Sequence, residues 1–170
     1  MSKTADRPRG ILLFAAGFGT RMGALTADRP KPLIEVAGRP LLDHALALAD
    51  GAGLAPVVVN AHYRAEQIAA HLAPRPDIAI SHETPDILDT GGGLRHALPL
   101  LGAGAGPAGA VFTLNTDAVW TGPNPLQTLA RAWTPERMDA LLLLVPPDRT
   151  RRHGGAGDFH LGADGRLTRG

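Results

Sequence analysis

Five short apolar runs, separated by stretches with helical periodicity, constrain this chain more than any other feature. They are ILLFAA (11–16), PVVVNA (56–61), IAISH (78–82), AVFTLN (110–115) and ALLLLV (140–145). None alternates apolar with polar residues, which is the mark of strands covered on both faces. Apolar runs that alternate with helical segments are the pattern of βαβ units, so an α/β fold around a mostly parallel sheet is expected.

The intervening helices read with similar directness. Leu42, Ala45, Leu46 and Ala49 share one helical face, Pro40 suits a first turn, and Gly51 and Gly53 mark the stop. Shorter helices are expected over 66–72, 93–101 and 125–133. The segment DFHLGADGRLTR (158–169) reads as two strands around an Asp-Gly turn, so the sheet is expected to become mixed there. With 170 residues, 44% hydrophobic and 19% charged, one globular domain accommodates all of this, with LGAGAGPAGA (101–110) as its flexible-looking segment.

Several function classes drop out. The net charge is +1 and the basic residues are dispersed, so no footprint for nucleic acid or an anionic membrane is present. No cysteine occurs, which removes disulfides, thiolate metal sites and cysteine nucleophiles. The polar start MSKTADRPRG leads into an apolar run too short for a signal-peptide core or a membrane span, so a soluble, cytoplasmic protein is expected. The seven histidines form no metal-spaced pair on an expected helix, neither Ser2 nor Ser81 sits in a nucleophile elbow, and the two tryptophans are expected in or near the core.

In open α/β sheets, ligands bind beyond the carboxyl ends of the strands. Three segments should meet there: the stretch after the first strand, the loop ETPDILDTGGG (83–93) after the third, and LNTD (114–117) at the end of the fourth. The first of these reads AAGFGTRMGALTADRPKPL (15–33). Gly17 and Gly19 allow a tight turn whose amides approach a ligand without a Cβ in the way. A Walker A loop fails, because Thr20 and Arg21 stand where Lys-Ser/Thr would follow the glycine; a dinucleotide fingerprint fails, because Met22 occupies the third glycine's place. Arg21 offers a planar fork for phosphate oxygens, and Lys31, ten residues on, is a point charge on a backbone restricted by Pro30 and Pro32. Singly, each is as well explained as solvated surface charge. Together with the amides they suit a triphosphate.

This string resembles the signature G-x-G-T-R-[LM]-x-x-L-T-x-x-x-P-K-P-L of sugar-1-phosphate nucleotidylyltransferases and matches it throughout residues 17–33. The resemblance implies a Rossmann-like, three-layer α/β/α fold of the nucleotidyltransferase type, and transfer of a nucleoside monophosphate from an NTP to a sugar 1-phosphate with release of pyrophosphate. It implies that Arg21 and Lys31 bind and polarise phosphates, with Ala16, Gly17, Gly19, Thr20 and Arg21 lining the nucleotide. Asp117 would hold Mg²⁺ and complete a catalytic set with Arg21 and Lys31; a plain alternative is capping of the following loop. Thr116 stands where relatives carry a small residue. Thr90, Gly91 and Gly92 would form the base-recognition loop, or else a helix start.

The run DTGGGL (89–94) after ETPDIL, together with GDFHL (157–161), is most similar to the N-acetylmuramate-1-phosphate uridylyltransferase branch, which points to UTP, to peptidoglycan recycling, and to Gly157 and Asp158 on the sugar side. A β-turn is the simpler role for those two. The resemblance also implies a second metal-binding aspartate several dozen residues beyond Gly170, so residues 1–170 are expected to be a nucleotidyltransferase domain without its C-terminal portion. Two alternatives remain: another hexose 1-phosphate with GTP or dTTP, and a nucleotide-binding regulatory module without turnover.

Overall fold

A computed structural model describes residues 7–102, 109–151 and 157–169. The chain divides into two compact units, Met1–Asp139 and Ala140–Gly170.

In the first unit, β1 (Ile11–Phe14), β4 (Val57–Ala61), β5 (Ile78–His82) and β6 (Phe112–Asn115) form one sheet in the order β5-β4-β1-β6. All three pairings are parallel, with Ile11 opposite both Val57 and Phe112. A small antiparallel ribbon, β2 (Glu35–Val36) with β3 (Arg39–Pro40), precedes α1 (Leu41–Ala52). Helix α1 lies in the crossover from β1 to β4, α2 (Ala65–Leu72) in that from β4 to β5 and α3 (Asp89–Leu101) in that from β5 to β6, and α4 (Pro125–Ala132) follows β6.

Alternate strand residues serve the two faces of this sheet, which is why the runs lack polar positions. Ile11, Leu13, Val57 and Val59 pack with Leu42, Leu46, Ile68 and Leu126 from α1, α2 and α4. Leu12 and Val58 pack on the opposite face with Ala97 and Leu101 of α3. Each fully buried aliphatic side chain contributes about 1.5–3 kcal/mol relative to exposure, so the double-sided burial of β1 and β4 anchors the three layers. Helix α1 stops as its sequence suggests: Gly53 adopts φ 66, and its N–H donates to the carbonyls of Ala49 and Asp50. Asn124 caps α4, its side-chain oxygen accepting from the N–H groups of Leu126 and Gln127.

Three expectations need correction. Residues 140–145 form no strand; Leu142, Leu144 and Val145 are 45%, 37% and 39% exposed. The sheet does not become mixed near the end of the chain: β7 (Phe159–Leu161) and β8 (Leu167–Arg169) pair antiparallel as a separate two-stranded ribbon in the second unit. The third helix begins at Asp89, so the triple glycine lies inside it. The flexible-looking stretch falls largely on 103–108, outside the described residues. Trp120 and Trp133 are partly buried, and their indole N–H groups are buried without a partner. Among the described residues no helix is long and apolar enough to cross a membrane.

Candidate active site

Strand order fixes where a site can form. The chain steps from β1 to β4 to β5, then returns through α3 to place β6 on the other side of β1. The strand order thus reverses direction at β1, and a crevice at the carboxyl ends of the strands is expected where it does. A cavity of about 320 Å³ lies there.

One side of it is the segment after β1. Gly19 sits at φ 66, and a Cβ there would meet Thr26 Cγ2 at 2.9 Å and Lys31 Cβ at 3.0 Å, so both backbone conformation and space require glycine. Residues 20–26 form 3₁₀ turns broken at Gly23, whose φ of 54 and ψ of −125 no ordinary residue adopts readily. The buried Thr26 closes the segment, its hydroxyl lying 3.1 Å from the carbonyls of Gly19 and Gly23. Pro30 is fully buried and Lys31–Leu33 makes one more 3₁₀ turn, which fixes the backbone behind Lys31.

From this base Lys31 Nζ donates to Asp117 Oδ2 at 2.8 Å, with the two side chains 24% and 45% exposed. Asp117 is held just beyond β6 by its neighbour: the Thr116 hydroxyl, 3% exposed as a residue, donates to the Phe14 carbonyl at 2.7 Å. This threonine therefore ties the end of β6 to β1. Ala16, Gly17, Gly19, Thr20, Arg21, Lys31, Thr90 and Asp117 all line the cavity. Gly91 and Gly92 do not: they lie in the first turns of α3, where a recognition loop was expected. Gly157 and Asp158 belong to the second unit, exposed at the entry to β7, with Gly157 at φ 101.

The opposite wall contains residues that sequence reasoning missed. Asn60 Oδ1 accepts from the Ala15 N–H at 2.6 Å, Asn60 Nδ2 donates to Glu83 Oε1 at 2.7 Å, and Glu83 Oε2 accepts from the Leu88 N–H at 2.8 Å. This chain of bonds ties the ends of β1, β4 and β5 to the start of α3. Glu83 is 1% exposed and Asn60 2%. Gly93 is glycine because a Cβ there would lie 2.6 Å from Glu83 Oε1 and 2.9 Å from Asn60 Nδ2. The available signal was a lone Asn in an apolar strand, a Glu at the next strand's end, and a glycine ten residues later.

No group of three or more His, Asp or Glu side chains that could hold a metal occurs among the described residues. Mg²⁺ in phosphate chemistry needs less, since it takes one or two carboxylates and completes its shell with substrate oxygens and water. The half-exposed Asp117 carboxylate, facing a cavity lined by two cations, suits that incomplete type of site.

Comparison with known proteins agrees with this geometry. The sequence profile of the MobA-like NTP transferase domain matches residues 11–153. The chain is 43% identical over 169 residues to an N-acetylmuramate alpha-1-phosphate uridylyltransferase of Caulobacter vibrioides, covering 95% of this chain and 68% of that protein. It is 37% identical to the enzyme of the same name from Neisseria meningitidis, covering 88% of this chain and 63% of the relative. Among solved structures, HddC from Yersinia pseudotuberculosis superposes with a TM-score of 0.53 at 23% identity, over 64% of this chain and 48% of that one, a likeness of fold. The chain thus spans about two thirds of these uridylyltransferases, and it belongs to the MobA-like NTP transferase domain family.

Proposed function

We propose that this chain moves a uridylyl group from UTP to a sugar 1-phosphate, with N-acetylmuramate 1-phosphate as the acceptor. The carrying observation is the convergence of Arg21, Lys31, the glycine-loop amides and Asp117 on one cavity at the carboxyl ends of β1 and β6. The Caulobacter and Neisseria relatives named for this reaction support the choice of UTP and of this sugar.

The chemistry asks little of the protein beyond placement. A sugar 1-phosphate is largely a dianion at neutral pH, since its second pKa is about 6, so no side chain has to remove a proton. Its oxygen forms a bond to the α-phosphorus of UTP while the bond from that phosphorus to the α–β bridging oxygen breaks, and pyrophosphate leaves. Backbone N–H groups around Gly17 and Gly19 hold phosphate oxygens, and the Arg21 fork fixes their orientation. Lys31 supplies a positive charge where negative charge accumulates on the leaving side. Asp117 is the residue that would hold Mg²⁺, which when bound supplies further neutralisation of the phosphates. Until then Asp117 and Lys31 neutralise each other through their 2.8 Å ion pair. Thr90 would lie on the nucleotide, with Gly91 and Gly92 behind it in the first turns of α3. The reading puts the chain in the cytoplasm, in salvage of peptidoglycan sugars.

The test is pyrophosphate release by the purified chain, with Mg²⁺, across a panel of NTPs and sugar 1-phosphates. UTP with N-acetylmuramate 1-phosphate should be the fastest pair. Preference for another pair would overturn the substrate assignment, and UTP binding without Mg²⁺-dependent release, both in this chain and in a protein of the relatives' full length, would overturn the enzymatic one.

A further inference from the structure

The connection from β4 to α2 takes no part in the chemistry above, yet it touches both ends of the loop that carries Arg21. At the loop's start, the Phe18 ring meets His62 edge-on with centroids 5.3 Å apart and lies tilted against Tyr63 at 5.7 Å. At its end, the Tyr63 hydroxyl lies 3.0 Å from the Thr26 carbonyl oxygen and 3.3 Å from that of Ala27. Arg64 Nη2 donates to the same Ala27 carbonyl at 2.7 Å, and Gln67 Nε2 donates to the Asp28 carbonyl at 2.9 Å. Arg64 Nε donates to the Tyr63 hydroxyl at 3.0 Å, and the guanidinium carbon lies 5.4 Å from the Tyr63 ring centroid. Three consecutive carbonyls of one loop are thus held by three side chains of another segment.

The backbone shows that this arrangement is not incidental. Arg64 adopts φ 51 and ψ 44, the left-handed region, immediately before α2. A residue with a Cβ is disfavoured there, and glycine would sit without strain. What the arginine adds is the side chain that returns to Ala27 and Tyr63. Strain of this kind persists where surrounding contacts impose it and a site uses it. The loop itself needs outside support, because its own turns are short 3₁₀ pieces interrupted at Gly23.

We infer that Tyr63, Arg64 and Gln67 form a clasp that keeps residues 18–28 in the form that receives the nucleotide. They are positioning residues, acting through the loop that presents Arg21 and leads to Lys31. The inference rests on the reading of the cavity as a nucleoside triphosphate site. The connection also reaches the buried wall, since His62 Nδ1 lies 2.8 Å from the Glu83 carbonyl oxygen and the Glu83 N–H donates to the Ala61 carbonyl. One short segment therefore sets the rim and the wall of the cavity relative to each other. Without the clasp the loop would spend part of its time in other conformations, and apparent affinity falls by the fraction that is competent.

Two variants of the full chain separate the side chains from the backbone. Tyr63→Phe removes only the hydroxyl; Arg64→Gly removes the guanidinium while relieving the left-handed strain. Backbone hydrogen exchange should quicken in peptides covering 18–28 and stay unchanged elsewhere. With Mg²⁺·UTP, KM for UTP should rise about tenfold in Arg64→Gly and roughly threefold in Tyr63→Phe, with kcat and KM for the sugar phosphate changed less than about twofold. Unchanged exchange and KM in both variants would overturn the clasp, as would a uniform rise in exchange across the unit. If the parent chain neither binds nor turns over UTP, the substrate reading fails, and exchange over 18–28 still decides the clasp.

Discussion

Lys31 and Asp117 face each other on the cavity's rim with a quarter and nearly half of their side chains exposed, whereas Glu83, which lines the same cavity, is 1% exposed. Both regions are polar and both are hydrogen-bonded, but they are built for different purposes. The rim pair is solvated, so exchanging partners costs little, and a phosphate or a metal ion can replace either member. The buried wall cannot exchange partners, because a donor or acceptor left unpaired there costs about 1–3 kcal/mol. Substitutions on the rim should therefore remove activity and spare the fold, and substitutions in the wall should do the reverse.

Lys31→Ala gives the largest expected effect. Loss of one preorganised charge from the transition state lowers turnover on the order of 10²–10³-fold. The melting temperature should fall by no more than about 4 °C, since an exposed ion pair contributes at most about 1 kcal/mol. Pyrophosphate release at the parental rate would sink the assignment of Lys31, and with it the contrast between rim and wall.

Gly93→Ala is the matching change in the wall. In an ordinary helix interior alanine is better than glycine by about 0.5–1 kcal/mol. Here the added methyl meets Glu83 Oε1 at 2.6 Å and Asn60 Nδ2 at 2.9 Å, both buried and both hydrogen-bonded. The sign should reverse, with a loss of about 1–3 kcal/mol seen as a lower urea midpoint at unchanged slope. A stabilised Gly93→Ala protein would mean that the wall can give way, contrary to the packing described.

A finer probe is Glu83→Gln, which keeps the shape and replaces one acceptor oxygen with an amide donor. Both carboxylate oxygens now accept, one from Asn60 and one from the Leu88 N–H, so one of those donors must lose its partner. Equilibrium unfolding should register about 1–2 kcal/mol of destabilisation. A neutral result would show that the wall tolerates a rearranged network.

The same contrast explains what could be read from the sequence. Residues 17–33 form a contiguous motif because each has a local task, whether a left-handed turn at Gly19, closure by Thr26 or a fixed backbone at Lys31, and the rim was legible from that string. Asn60, Glu83 and Gly93 are ordinary residues far apart in the chain, and only the sheet brings them together. The run 78–82 matched its strand to the residue, and the other three sheet strands fell within the runs expected for them. The run 140–145 is as apolar and forms no strand, because apolar character alone supplies no neighbour to accept its backbone hydrogen bonds. The start of α3 was placed at Gly93 because the resemblance read 90–92 as a recognition loop; the structure shows the alternative, a helix start, with α3 beginning at Asp89.

A distant ion pair supplies the yardstick for the rim. Arg75 donates to Asp77 at 2.8 Å, the same separation as Lys31 and Asp117, and also to Asp50 at 3.0 Å, on a surface away from the cavity lining. The Arg75 hydrogen bonds hold the Asp77 carboxyl below its ordinary value of 3.8, while those to Asp77 and Asp50 raise the guanidinium. A carboxyl lowered in the folded state stabilises the protein above its ordinary pKa, and that contribution disappears as pH falls through the lowered value. Asp77→Asn should thus cause a small loss of stability at neutral pH and a flatter decline below about pH 4, measured as melting temperature against pH. Its turnover should equal the parent's. A parallel acid decline in the two proteins would remove Asp77 as a source of it. If instead Asp77→Asn slowed turnover as Lys31→Ala does, an exposed pair at 2.8 Å would be no mark of function, and the distinction between a pair that faces the cavity and one that does not would have to be abandoned.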